Sequence, residues 1–175
     1  MKLSQPAWTR SLPTPMILGW ATLGPIGRRL RAPGTWGSVA GLLYFALIFV
    51  GRVGTIGNLF FSALGAYVAV AICGEAEIRL GRRDPGMIIL DEFVAMPLCF
   101  LGWEAWPTPL PIRAVVLLLA GLALFRFYDI FKPLGISRLQ RLPGGWGVVV
   151  DDTAAALAAC ATLHVARWAW ILSRR

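Results

Sequence analysis

Residues 53–74 hold no charged side chain over 22 consecutive positions. About 20 apolar residues suffice for a helix to cross the hydrocarbon core of a bilayer, where backbone polar groups must be satisfied internally. This run predicts a membrane-spanning helix. Composition points the same way: 57% of the chain is hydrophobic, 19 residues are glycine and only 15% are charged, against about 25% charged in a soluble domain. Four further apolar runs accompany it. The run at 36–51 is somewhat short, about 24 Å as helix. The run at 86–103 is broken only by Asp91 and Glu92, and the run at 114–128 carries Arg126 near its end. The last, 148–171, contains Asp151, Asp152, His164 and Arg167. Pro107, Pro109 and Pro111 mark one turn, and the glycines of 144–147 mark another. The expected fold is all-α, a polytopic membrane helical bundle of about four to five transmembrane helices with short loops. Residues 1–32 read as a basic interfacial segment and 33–175 as one membrane-embedded domain. The apolar stretch 16–26 has no small-residue cleavage site after it, so it does not read as a cleaved signal peptide.

Seventeen basic residues against nine acidic ones give a net charge of +8. The basic residues sit between the apolar runs, as Arg28/Arg29/Arg31, Arg79/Arg82/Arg83 and Lys132/Arg138/Arg141. That placement suits loops facing anionic lipid headgroups, and no nucleic-acid partner is expected. The positive-inside tendency puts the N-terminus and the loops at 75–85 and 132–147 in the cytoplasm. Five spans then leave the C-terminus outside, although Arg174 and Arg175 weigh against that. Cys73, Cys99 and Cys160 lie far apart within apolar runs and read as small buried hydrophobes, not a disulfide framework or zinc site.

With that orientation the polar groups of the apolar runs fall on one side. Thr35 and Ser38 open the first run, while Asp84, Asp91 and Glu92 open the third. Arg126, Asp129 and Lys132 close the fourth, and Asp151 and Asp152 open the fifth. A carboxylate within a membrane run costs roughly 2.5–3.5 kcal/mol at the bilayer centre and less toward its edge. Ion pairing with Arg126 and Lys132 is one use for these acids. Asp91, Glu92, Asp129, Asp151 and Asp152 outnumber the nearby cations, however, which favours a divalent metal. An all-oxygen set suits Mg²⁺ or Mn²⁺. Arg126, Asp129 and Lys132 are spaced three apart and share a helical face, either as a plain ion ladder or as a clamp for phosphate beside a metal. Thr35 and Ser38 could cap a helix or touch phosphate oxygens at its N-terminus. Gly144, Gly145 and Gly147 could wrap a phosphate or simply turn the chain.

Other chemistries find no support. His164 is the only histidine, which excludes a phosphatase working with a histidine pair, and it reads as a polar contact between helices. No DxDx[TV] stretch, GxSxG elbow, P-loop or GxGxxG is present, and the acid pattern of CDP-alcohol phosphotransferases is missing.

Four blocks in order resemble the phosphatidylglycerophosphatase A family: APGTWGS at 32–38, DPGMIILDE at 84–92, FRxxDxxKP at 125–133 and GGWGxxxDD at 144–152. The resemblance covers roughly residues 33 to 160. Two departures are local: Gly135 stands where a second proline is frequent after the Lys-Pro pair, and Gln140 where an acid is frequent. The resemblance implies a Mg²⁺-dependent, multi-pass phosphatase of the bacterial inner (cytoplasmic) membrane with its active site facing the cytoplasm. Its substrate would be phosphatidylglycerol phosphate, hydrolysed to phosphatidylglycerol and phosphate in phospholipid biosynthesis.

On that reading Asp91, Glu92, Asp129, Asp151 and Asp152 hold one or two Mg²⁺, with Asp84 secondary. Arg126 and Lys132 hold non-bridging oxygens, and Thr35, Ser38, Gly144, Gly145 and Gly147 are further phosphate contacts. Either water or a carboxylate could be the nucleophile. The alternatives are a phosphatase of another lipid phosphate such as phosphatidate, and a non-enzymatic membrane protein coupled to ions or protons. That last reading expects acids at mid-bilayer, spread over both leaflets. Small-residue runs such as 154–161 suit helix packing within one chain or between two, which leaves the oligomeric state open.

Overall fold

A computed structural model describes residues 5–50, 53–103 and 111–174. The described residues form helices and turns and contain no strand, in keeping with the expected all-α bundle. After a 3-10 turn at Ala7–Ser11, the helices are α1 (Thr14–Ala21), α2 (Pro25–Arg29), α3 (Pro33–Val50), α4 (Gly54–Leu80), α5 (Leu90–Ala95), α6 (Pro111–Phe131) and α7 (Gly145–Leu172). Two more 3-10 turns, Met96–Phe100 and Ile136–Arg141, follow α5 and α6. Among the described residues three helices are long and apolar enough to cross a membrane, Gly54–Leu80, Ile112–Phe131 and Gly145–Leu172, and Pro33–Ile48 is a shorter apolar helix. Pro107, Pro109, Arg175 and the loop around 52 lie outside the described residues.

Local chemistry sets the helix ends. Pro33 occupies the first position of α3, where a missing N–H costs nothing. Gly81 stops α4 in a left-handed conformation with its N–H on Glu77 O. α6 ends at Lys132, which has φ of +44°, and Pro133 prevents continuation.

The expected span at 86–103 is corrected. It is not one helix but the six residues of α5, the turn Met96–Phe100 and an irregular exit. Pro97 lacks the N–H that would continue an α-helix. Irregular backbone is tolerated at membrane depth only when protein satisfies its polar groups. Here the buried Asn58 of α4 donates from Nδ2 to Pro97 O at 3.1 Å, and Ser62 Oγ donates to Asn58 Oδ1. His164 Nε2 donates to Leu101 O at 2.8 Å. His164 is therefore an interhelical contact that stabilises a broken traverse.

These contacts also fix the direction of the segments. Asn58 near the start of α4 meets Pro97, and His164 far along α7 meets Leu101, whereas α3, α5 and α7 begin, and α4 and α6 end, at the opposite end of the bundle. The core has two parts. One joins Ile17 and Ala21 of α1 to Val70, Cys73 and Ala76 of α4 and Val149 of α7. The other packs Met96, Phe100 and Phe125 against Ala155, Ala156 and Ala159 of α7, where small side chains let the helices approach. The segment before Ala32 is thus anchored by buried residues, and Arg79 ties it down further, donating to Glu75 Oε1, Thr14 Oγ1 and the carbonyls of Thr9 and Arg10. Outward, α6 exposes Ile112, Val116, Leu119, Ile130 and Phe131. An apolar face of that extent suits lipid.

Candidate active site

A cleft of about 250 Å³ opens at the end of the bundle where α3, α5 and α7 begin and α6 ends. Asp84, Asp91, Glu92, Arg126, Asp129, Lys132, Asp151 and Asp152 line it, beside Ala32, Pro33 and Gly34. The acids expected from the sequence therefore share one wall, although they come from the α4–α5 loop, α5, α6 and α7. The ninth acid, Glu104, lies outside the described residues.

The two cations bridge the acids. Arg126 Nη1 donates to Glu92 Oε1 and Asp129 Oδ2, each at 2.8 Å. Lys132 Nζ lies 3.5 Å from Asp129 Oδ1 and donates to Asp151 Oδ2. The Arg126–Asp129–Lys132 ladder exists, but both of its ends reach across to other helices, which an isolated helical ladder would not do. Burial alone would lower the Lys132 ammonium, yet the hydrogen bond to Asp151 and the neighbouring carboxylates outweigh it and hold Lys132 above its ordinary value. Three carboxylate oxygens remain buried without a hydrogen-bond partner among the described residues: Glu92 Oε2, Asp151 Oδ1 and Asp152 Oδ2. Buried charged oxygens are costly to leave unpaired, and such exceptions call for an explanation.

Those oxygens also test the expected ion. Unpartnered carboxyl oxygens on residues that line one cleft fit a hard divalent cation, which takes oxygen ligands. No three acidic side chains already converge as a metal-binding group among the described residues, and Arg126 and Lys132 bridge Glu92, Asp129 and Asp151. The donor chemistry fits, and the carboxylates would have to draw together around an ion.

The remaining expected contacts fall elsewhere. Ser38 is buried, and its hydroxyl donates to Gly34 O one turn back at 2.9 Å. Thr35 is exposed, and the cleft wall beside it is Ala32, Pro33 and Gly34. Gly144, with φ 55° and ψ −149°, adopts a conformation open essentially to glycine alone and starts α7. Gly145 presses on α4: a Cβ there would collide with Val70 O and stand 2.8 Å from Gly74 N. Gly147 packs under the carbonyls of Leu142 and Gln140. These three glycines serve backbone geometry and close packing, and none lines the acidic cleft.

Two kinds of residue escape a search for acids within the apolar runs. Gly34 and Gly37 sit one helical turn apart on α3 and face Glu92; a Cβ on Gly34 would strike Glu92 Oε1 and come within 3.0 Å of Arg126 Nη1, and one on Gly37 would stand 2.7 Å from Glu92 Oε2. Their three-residue spacing in APGTWGS was the available signal. Gly34→Ala is expected to push Glu92 and Arg126 apart and lower phosphate release about tenfold or more, because a misplacement near 1 Å is costly at a reacting centre. Assay of the purified variant checks this, and wild-type rates would remove Gly34 from the site. Glu77 is the second kind. Buried near the end of α4, it accepts the Asp84 N–H on Oε1 at 2.6 Å, steadying a residue with φ of +44°. Nothing in its local sequence marks that role.

Against this geometry, the family model described as phosphatidylglycerophosphatase A matches residues 19–167. The chain belongs to the phosphatidylglycerophosphatase A family. It is 33% identical over 81% of its length to a phosphatidylglycerophosphatase A of Haemophilus influenzae, covering 82% of that protein. It is 32% identical over 78% of its length to a putative phosphatidylinositol-3-phosphatase of Bacteroides thetaiotaomicron, covering 84% of it. A phosphatidylglycerophosphatase A of Escherichia coli is 29% identical over 62% of the chain, with 60% of that protein covered. No solved structure matches. The matched region takes in all four sequence blocks and every residue of the cleft. Family membership makes the protein a phosphatase.

Proposed function

We propose that the protein removes the terminal phosphate of phosphatidylglycerol phosphate at this cleft, with Mg²⁺ held by Asp91, Glu92, Asp129, Asp151 and Asp152, as a step of phospholipid synthesis. The observation that carries the reading is the group of three unpartnered buried carboxylate oxygens beside two cations in one cleft, in a chain of this family. A bound Mg²⁺ would supply Lewis-acid polarisation of the phosphoryl group. Arg126 and Lys132 line the cleft, and on this reading they hold the non-bridging oxygens and stabilise the charge that develops on them. A cleft carboxylate takes the proton of the attacking water. As the water oxygen bonds to phosphorus, the bond to the lipid glycerol oxygen breaks, and the carboxyl group passes the proton it took to that oxygen, which leaves as the alcohol. Placing the cleft at the end of an apolar bundle lets the acyl chains stay in lipid while the phosphate reaches the acids.

The cytoplasmic face of the bacterial inner membrane is the proposed location. Arg28, Arg29, Arg31, Arg82, Arg83, Arg138 and Arg141 all flank the cleft end, which supports it. The non-enzymatic alternative expected acids in both leaflets, whereas every acid among the described residues lies toward the cleft end.

Purified protein in detergent should release phosphate fastest from phosphatidylglycerol phosphate when offered phosphatidate and phosphatidylinositol 3-phosphate in parallel. The inositol lipid belongs in the comparison because one relative carries that substrate in its name. A chelator should stop turnover, and added Mg²⁺ should restore it and raise the melting temperature of the apo-protein. Preference for phosphatidate would reassign the substrate, and full activity in chelator would remove the metal.

A further inference from the structure

A second polar cleft, about 450 Å³, adjoins the first and shares Asp84 and Val148 with it. Its other walls are Arg83 of the α4–α5 loop, Ser137, Gln140 and Arg141 of the turn after α6, and Gly147 of α7. The catalytic reading uses none of these cations. Arg83 is partly committed, donating to the carbonyls of Gln140 and Leu142 and so holding the two loops together. Arg141 is exposed and makes no ion pair or side-chain hydrogen bond among the described residues. The one acid of the cleft, Asp84, sits at the boundary with the first and receives Gln140 Nε2 at 3.4 Å.

We propose that this second cleft receives the diester phosphate of the lipid headgroup, with Arg141 as its principal cation and Ser137 as a hydroxyl donor. The inference rests on the proposed phosphatase reading and adds what that reading lacks, a basis for selecting the headgroup. Phosphatidylglycerol phosphate carries two phosphate groups joined by a glycerol bridge. The monoester must enter the acidic cleft to react. The diester then lies one short linker away, and the adjoining cleft offers the cationic surface there. Arginine suits the task because its planar fork matches two phosphate oxygens. Phosphatidate, whose one phosphate reacts, leaves the second cleft without a ligand, so selection between the lipids falls to Arg141 and Ser137. The cleft lies among the loops at the end of the bundle where the acidic cleft opens.

The test uses Arg141→Gln and Arg141→Lys in the full-length purified protein. Arg141 is exposed on a turn, so neither change threatens the fold, and equal melting temperatures will confirm it. Three ligands separate the two clefts. The substrate spans both, phosphatidylglycerol as product keeps only the diester, and inorganic phosphate fits only the acidic cleft. Arg141→Gln is expected to raise KM for the substrate and the inhibition constant of phosphatidylglycerol about tenfold, the scale of one charge-assisted hydrogen bond. The inhibition constant of inorganic phosphate and kcat should stay within twofold, and Arg141→Lys should recover part of the loss. Unchanged KM, or equal weakening of all three ligands, overturns the inference while leaving the phosphatase reading intact. No phosphate release by the wild-type protein overturns both.

Discussion

Asp152→Asn is expected to lower phosphate release by about two to three orders of magnitude, the scale set by removing one electrostatic contributor from a buried reaction site. The protein should insert and fold as before. Asp152 is buried on α7, and its Oδ2 has no partner among the described residues. A side chain kept for stability would lose contacts on substitution. This one loses little, because asparagine keeps the shape and removes a charge that the site desolvates. The melting temperature in detergent should therefore stay level or rise while turnover collapses, the pattern of a group retained for function at a cost in stability. Asp91→Asn should behave alike. Full activity in either variant removes that residue from the site, and a marked fall in melting temperature alongside the lost activity makes it structural.

Gly145→Ala is expected to do the reverse, damaging the fold first. A methyl group at Gly145 would collide with Val70 O and press on Gly74 N, both backbone atoms of α4. Backbone cannot swing aside as a long side chain can, so α4 and α7 must separate. Overpacking of this kind costs about 1–3 kcal/mol. A lower melting temperature should accompany reduced activity, since Asp151 and Asp152 lie less than two turns further along α7. The result separates two roles for the glycine turn. If Gly145 acted only by offering its N–H to phosphate, alanine would keep that donor and leave stability unchanged.

Neighbouring blocks of the chain were legible to different degrees. The acids were readable because a carboxylate in an apolar run has few bland explanations, and Asp91, Glu92, Asp129, Asp151 and Asp152 indeed line one cleft. Arg126 and Lys132 were readable from their helical spacing to Asp129. Ser38, Gly144 and Gly145 were less so, because hydroxyls and glycines before helices serve capping, back-bonding and packing as readily as phosphate. The run at 86–103 had the length and hydropathy of a helix, yet Pro97 and the polar anchors Asn58 and His164 produce a broken traverse. Glu77 carried no local signal because its partner, the Asp84 N–H, is met only after the chain turns back.

By itself, the amino-acid sequence determined the solvent and the chemistry: runs too apolar for water require helices in a bilayer, and carboxylates within them need cations. Those are properties of single segments and follow from transfer energies. Only the tertiary structure decided which atoms meet. It set Gly34 against Glu92, put Arg126 and Lys132 between acids of three helices, left three oxygens open, and joined a second cationic cleft to the first. Helix packing fixes such distances through the shapes of several segments at once, and no one segment carries that information.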